Sequence, residues 1–154
     1  MRTKRIIAIV FILLLFCWLG WTIGEIVRPE VLPVGSELPM ILCQHPDGDF
    51  TLGDSQANET IVVYFHPDCP HCLPQLQDYN RHIDEFTDTQ FYFLTSDKQF
   101  FRHPRPLGTE NLWDRSHIKW GIISKSDARE KLGCKVTPVT LVFDRVLCLV
   151  SKEL

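Results

Sequence analysis

Ile61-Val62-Val63-Tyr64-Phe65-His66-Pro67-Asp68-Cys69-Pro70-His71-Cys72 is the stretch that decides how this chain folds. Its first five residues are apolar and rich in β-formers. Such a run suits a strand buried on both faces. A C-x-x-C pair begins four residues after the run. Leu76, Tyr79, Ile83 and Phe86 then recur at intervals of three or four, which marks one face of a helix. The strand therefore delivers two cysteines to the start of a helix.

That placement has a chemistry. Disulfide exchange needs an accessible thiolate and a second thiol close enough to resolve the mixed disulfide. A first cysteine at the positive end of a helix dipole gains stability as an anion. Cys69 is thus read as the nucleophile and Cys72 as the resolving thiol. Pro70 is expected at the first helical position, where its missing N–H costs nothing. His71 supplies a positive charge or an N–H near the Cys69 sulfur, and such neighbours bring a cysteine pKa from about 8.5 to ~3.5–7.5. Two blander readings compete, half of a structural zinc site and a purely structural disulfide. No second Cys/His pair at short spacing follows, and His66 and His71 lie too close in sequence to close a site.

Outward from this stretch the pattern alternates. Pro46-Asp47-Gly48-Asp49 is a turn between Ile41-Leu42-Cys43 and Phe50-Thr51-Leu52, a small hairpin. Phe91 to Thr95 is a second strand and Ile118 to Ile123 a third. Ser126 is expected to cap a short helix that Gly133 stops. Val139 to Phe143 and Leu147 to Val150 are the last strands, joined by a tight turn at Asp144-Arg145. The order implies an α/β domain with helices packed on a central mixed sheet. Its 154 residues, 45% of them hydrophobic, allow one ordinary domain. The net charge of −3 and the lack of a basic patch point away from nucleic acid.

The N-terminus carries a different signal. Arg2, Lys4 and Arg5 (within residues 1–5) precede an uncharged, largely apolar run over 6–23. As a helix it reaches about 27 Å, near the ~30 Å hydrocarbon core. Trp18 and Trp21 fall at the far end, where interfacial aromatics belong. The basic residues assign the N-terminus to the cytoplasm, so 6–23 reads as a single-pass anchor, 24–35 as a linker, and 36–154 as an extracytoplasmic (periplasmic) domain. A cleaved signal peptide lacks its small-residue site here. Lipidation at Cys17 would need a small residue where Phe16 stands. Of the six cysteines, five remain in the domain, and an odd count argues against a fully paired framework.

The domain resembles the thioredoxin superfamily over most of 36–154. The quoted strand and active-site helix carry the likeness. So does Leu132-Gly133-Cys134-Lys135-Val136-Thr137-Pro138-Val139-Thr140, similar to the family's cis-proline loop. Gly35-Ser36-Glu37-Leu38-Pro39 with the Asp47-Gly48 hairpin resembles the membrane-anchored TlpA/ResA-like (redoxin) branch. Cys-Pro-His-Cys itself looks like the DsbA type. The resemblance implies a thioredoxin-like fold and a cis Thr137-Pro138 bond whose backbone receives a substrate strand. It implies thiol–disulfide oxidoreductase activity on protein thiols or disulfides, with a further redox partner and without cofactor or metal. The interval from Cys69 to Pro138 is about 25 residues longer than in a minimal thioredoxin and suits the same branch.

Departures from the family pattern carry expectations too. The usual buried carboxylate is replaced by Val63, leaving water, His66 or another group to move protons. Pro74 falls unusually early and is expected to distort the first helical turns. The terminal helix common in this fold has no counterpart before the chain ends. Cys134 takes a usually apolar position and reads as a packed free thiol, with a third redox thiol as the sharper alternative. Cys43 and Cys148 are a conceivable disulfide. Asp68 would raise the Cys69 pKa unless solvent screens it. Trp113 and Trp120 read as packing, and Arg102 to Pro106 as a surface loop. Two further activities fit less well. Copper-delivering relatives use a wider cysteine spacing, and peroxidase-like redoxins carry a threonine where His66 stands.

Overall fold

The computed structural model describes residues 32–54 and 56–153. The basic N-terminus at 1–5 and the predicted span at 6–23 lie outside them. No helix among the described residues is long and apolar enough to cross a membrane.

The elements run β1 (Leu42–Cys43), β2 (Phe50–Thr51), β3 (Glu59–Phe65), α1 (Cys72–His82), β4 (Thr89–Thr95), β5 (Ile118–Ile122), α2 (Lys125–Glu130), β6 (Val139–Phe143) and β7 (Leu149–Glu153). β1 and β2 form the expected hairpin. The other five strands form one sheet in the order β5-β4-β3-β6-β7. β3, β4 and β5 are parallel, while β6 and β7 run antiparallel to their neighbours. The central strand β3 is the apolar run of the sequence, flanked on both edges, and Ile61 to Phe65 are all buried.

Strand alternation divides the core between the two faces. Val62, Tyr64, Tyr92, Leu94, Leu141 and Phe143 pack on one face with the hairpin and α2. Ile61, Val63, Phe65, Phe91 and Phe93 pack on the other with Cys72 and Leu76 of α1. Each fully buried Leu, Ile or Phe side chain contributes about 1.5–3 kcal/mol, so both faces are needed to hold the sheet. The hairpin sits close against β5. A Cβ built on Gly121 would lie 2.9 Å from both the Cys43 Cβ and the Phe50 ring.

Several local expectations are corrected. α1 begins at Cys72, not at Pro70, so Pro70 lies in the preceding turn rather than at the first helical position. Pro74 is the reason. It has no N–H to give the Pro70 carbonyl, so the helical ladder starts later. Pro74 itself then falls in the first turn, where N–H groups have no intrahelical partner, and the helix runs on to His82. Ser124, not Ser126, caps α2, its Oγ accepting from the Asp127 N–H at 3.0 Å. Gly133 follows that helix with φ of +66°, a conformation that suits glycine. The last turn closes over Asp144 to Leu147, and β7 starts at Leu149. Cys43 and Cys148 are free thiols, as are the other described cysteines.

Candidate active site

β3 ends at Phe65, and the chain turns through His66-Pro67-Asp68 to present Cys69. Two backbone bonds shape the approach, Cys69 N–H to His66 O at 3.0 Å and Cys72 N–H to Cys69 O at 3.1 Å. The Asp68 N–H also donates to His66 Nδ1 at 3.2 Å. These turns leave Cys69 half-buried and fold Cys72 under it, 1% exposed, against the α1-side core. Across the site the Thr137–Pro138 peptide bond is cis. The Thr137 carbonyl lies 3.4 Å from the Cys69 sulfur and accepts from its thiol. Cys69, Cys72, Thr137 and Pro138 therefore form one cluster at the C-terminal end of β3.

The two sulfurs are pushed apart in acidity. For Cys69, desolvation raises the pKa, but hydrogen bonds to the thiolate outweigh it. They come from the Cys72 thiol, the Thr137 side chain and the backbone N–H groups of His71 and Cys72, and they hold Cys69 below the ordinary thiol value. For Cys72, burial dominates and lifts the pKa to about 11. A backbone hydrogen bond from His66 and the Thr137 side chain offset that only in part, and Cys69 beside it adds to the rise. Of the two, Cys69 is the sulfur that ionises first as pH rises, and Cys72 keeps its proton to about 11.

His71 meets the Cys69 sulfur through its main chain. Its side chain is exposed, and its contribution to the Cys69 thiolate comes from the backbone N–H. Asp68 is also turned outward, its side chain 94% exposed, so solvent screens its charge. Val63 is fully buried at the place of the missing carboxylate. Beside it stands a polar group that the sequence does not announce. Thr140 pairs with Val63 across the β3–β6 ladder. Its Oγ1 takes a bond from Gln75 Nε2 at 3.0 Å and meets the Tyr79 hydroxyl at 3.3 Å. Gln75 Oε1 is buried without a protein partner, an acceptor one turn beyond Cys72. These three residues come from α1 and β6, so no local motif marks them.

Cys134 is buried in the hairpin-side core, and desolvation lifts its pKa to about 12. Trp120 is core, and Trp113 stacks on it at 4.2 Å. Among the described residues, no group of three or more His, Cys, Asp or Glu side chains converges on a point where a metal ion could sit.

A sheet of this order, with a cysteine pair after its central strand and a cis-proline facing it, defines a thioredoxin-like fold. Solved structures share it. The thioredoxin domain of a thiol-disulfide oxidoreductase from Bacteroides vulgatus aligns at 21% identity over 80% of this chain and 89% of its own, with a TM-score of 0.54. A thiol:disulfide interchange protein from a Bacteroides species aligns at 22% identity over 80% and 82%, at 0.55. A peroxiredoxin-like protein from Aquifex aeolicus aligns at 12% identity over 80% and 77%, at 0.60. No protein-family model and no curated protein matches the sequence.

Proposed function

We propose that this protein is a thiol–disulfide oxidoreductase that exchanges disulfides with protein thiols through Cys69 and Cys72. The observation that carries the reading is the geometry of two adjacent sulfurs after the central strand, Cys69 half-buried and Cys72 1% exposed, beside the cis Thr137-Pro138 bond. In the reductive direction the Cys69 thiolate attacks a substrate disulfide. A Cys69–substrate S–S bond forms, the substrate S–S bond breaks, and the released thiolate takes a proton. Cys72 then loses its proton and attacks the Cys69 sulfur. The second substrate thiol leaves, and a Cys69–Cys72 disulfide remains. The substrate has gained two electrons and the enzyme has lost two. The oxidative direction is the same path reversed, and the potential of the partner sets which way it runs.

The Thr137-Pro138 backbone edge receives the substrate chain beside the sulfurs. Hydrogen bonds that stabilise the Cys69 thiolate stabilise the reduced form and favour an oxidising couple. With Val63 in place of a carboxylate, the proton of Cys72 leaves by way of water or His66. Residues 6–23, with Arg2, Lys4 and Arg5 before them, anchor the protein as a single-pass span. The domain then works on the extracytoplasmic side, where disulfides persist. The TlpA/ResA-like branch, with a DsbA-like centre, is the closest description of that arrangement.

A redox titration of the full chain tests this reading. The expected result is a reversible two-electron couple that disappears in Cys72→Ser. A protein without such a couple, or with one indifferent to Cys72, is not this enzyme. Cys72→Ser also leaves the mixed disulfide unresolved, so partners held on Cys69 can be identified.

A further inference from the structure

Beyond the cysteine site, a cavity of about 700 Å3 opens beside β5, within the range of ligand-binding clefts. Its walls come from the 45–50 turn, the 100–115 segment and β5 itself. Ile118 and Trp120 line it together with Lys119. Residues of alternate parity on a strand point to opposite faces of a sheet. A cavity that touches both sets therefore lies along the strand's edge.

That edge is open. On its inner side β5 pairs with β4, and the bonds at the ends of that ladder, Phe91 N–H to His117 O and Ile123 N–H to Thr95 O, give the inward backbone groups to odd-numbered residues. The even-numbered residues face out. Ile122 is met there by Gln44 in an antiparallel bridge, with both bonds at 2.9 Å. Pro46 then turns the chain away, since it has no N–H to continue the ladder. The Ile118 N–H is used by Arg115 O. Among the described residues, no strand pairs with the outward N–H and C=O of Trp120. Trp120 is only 4% exposed and lines the cavity, and buried backbone groups demand partners.

The two sides of the edge differ in chemistry. On the α1 side stand the stacked rings of Trp113 and Trp120 and the ring of Phe100. Arg105 lies over Trp113 but is held by Asp114 at 3.1 Å, and Arg115 is held by Asp84 at 2.7 Å. On the hairpin side the Lys119 ammonium stands 5.4 Å above the Phe50 ring, with no carboxylate within ion-pair distance among the described residues. Asp47, also on the wall, lies instead against His45 at 3.9 Å.

We infer that this groove binds an extended segment of a protein partner as an added antiparallel strand, one that alternates acidic and aromatic or apolar residues. Its main chain pairs with Trp120 where Pro46 stops the protein's own strand. Its acidic side chains meet Lys119, and its apolar ones lie against Trp113 and Trp120. Strand addition of this kind takes affinity from main-chain bonds and specificity from alternate side chains. The inference does not depend on the redox reading, because no cysteine takes part.

The test uses the full chain in nanodiscs of zwitterionic lipid, with empty nanodiscs subtracted. The probe is a capped, fluorescein-labelled heptapeptide alternating glutamate with tyrosine, followed by anisotropy. Saturable binding is expected, weakened about tenfold or more when alternate amides are N-methylated, because the donors are lost. Lys119→Glu is expected to weaken it by a similar factor and to favour the peptide with lysine in place of glutamate. Equal binding of the N-methylated peptide would show that side chains alone hold the ligand and would overturn strand addition. Indifference to Lys119→Glu, or no saturable binding, would also overturn the proposal. Disulfide exchange through Cys69 is unmoved by any of these results, so they leave the proposed function standing.

Discussion

Thiols lie on both faces of the central sheet, and the same side chain behaves oppositely on each. On the α1 face, Cys69 receives hydrogen bonds and is held below the ordinary thiol pKa. On the hairpin face, Cys43 and Cys134 donate to the carbonyls of Ile41 and Leu132, each at 3.7 Å. Desolvation lifts both to about 12, for Cys43 despite a backbone bond from Leu52. Both are essentially inaccessible, at 0% and 1% exposure. Cys72 sits on the reactive face yet is buried like the inert pair. Low thiol pKa here follows from donors aimed at a reachable sulfur, and proximity to Cys69 alone does not confer it.

The largest effect that this contrast predicts is on exchange itself. Cys69→Ser should slow reaction with a small aromatic disulfide by about a thousandfold or more. Cys43→Ala and Cys134→Ala should stay within about twofold of wild type. A comparable loss from Cys134→Ala would make it a third redox thiol and break the comparison.

Alkylation sharpens the contrast further. At pH 7 a thiol of pKa about 11 is ionised to about one part in ten thousand, which is the state of Cys72. Iodoacetamide should therefore label Cys69 at least about a hundredfold faster than Cys72, as read by peptide mapping. Cys43 and Cys134 should label only after denaturation. Their labelling in the native protein would show that their burial is transient.

Alkaline stability tests the inert face directly. Above about pH 8.5 the unfolded chain loses thiol protons, while the folded chain keeps those of Cys43 and Cys134 to about 12. The unfolded state then binds fewer protons, so stability falls as pH rises through this window. Each such thiol contributes a slope of about 1.4 kcal/mol per pH unit. Urea unfolding of Cys43→Ala should show a shallower decline than wild type by about that amount. An unchanged slope would mean that the thiol ionises in the folded state.

The smallest effect concerns one donor. Thr137→Val keeps the branched shape but removes the hydroxyl that helps hold the Cys69 thiolate. The Cys69 pKa should rise toward the ordinary thiol value, and its alkylation near pH 6.5 should slow by about threefold to tenfold. No change would leave the backbone N–H groups of His71 and Cys72 as the main support.

Much of this arrangement is legible in residue order. Continuous β-formers from Ile61 to Phe65 announce a central strand, and a C-x-x-C after it announces the pair. The hairpin, β4, β5 and β6 fall where apolar runs and turn residues put them. The helix start is misread because an early proline can mean either distortion or a late beginning, and only the three-dimensional start at Cys72 decides. The Gln75-Thr140-Tyr79 cluster and the cavity beside β5 are not legible, since each joins residues far apart in sequence. Arg102 to Pro106 read as a plain surface loop, yet Arg105 lies over the Trp113 ring in the cavity wall.

Residue order by itself determined that a strand would carry two cysteines toward a helix, because periodicity and turn chemistry act over a few neighbouring residues. Tertiary structure decided which thiol ionises. That choice depends on Thr137, brought to Cys69 from 68 residues away, and on the packing that closes over Cys72 but leaves Cys69 within reach. It also decided that the β5 edge stays open, because the Gln44 bridge and the Pro46 turn meet β5 only once the hairpin has docked against Gly121.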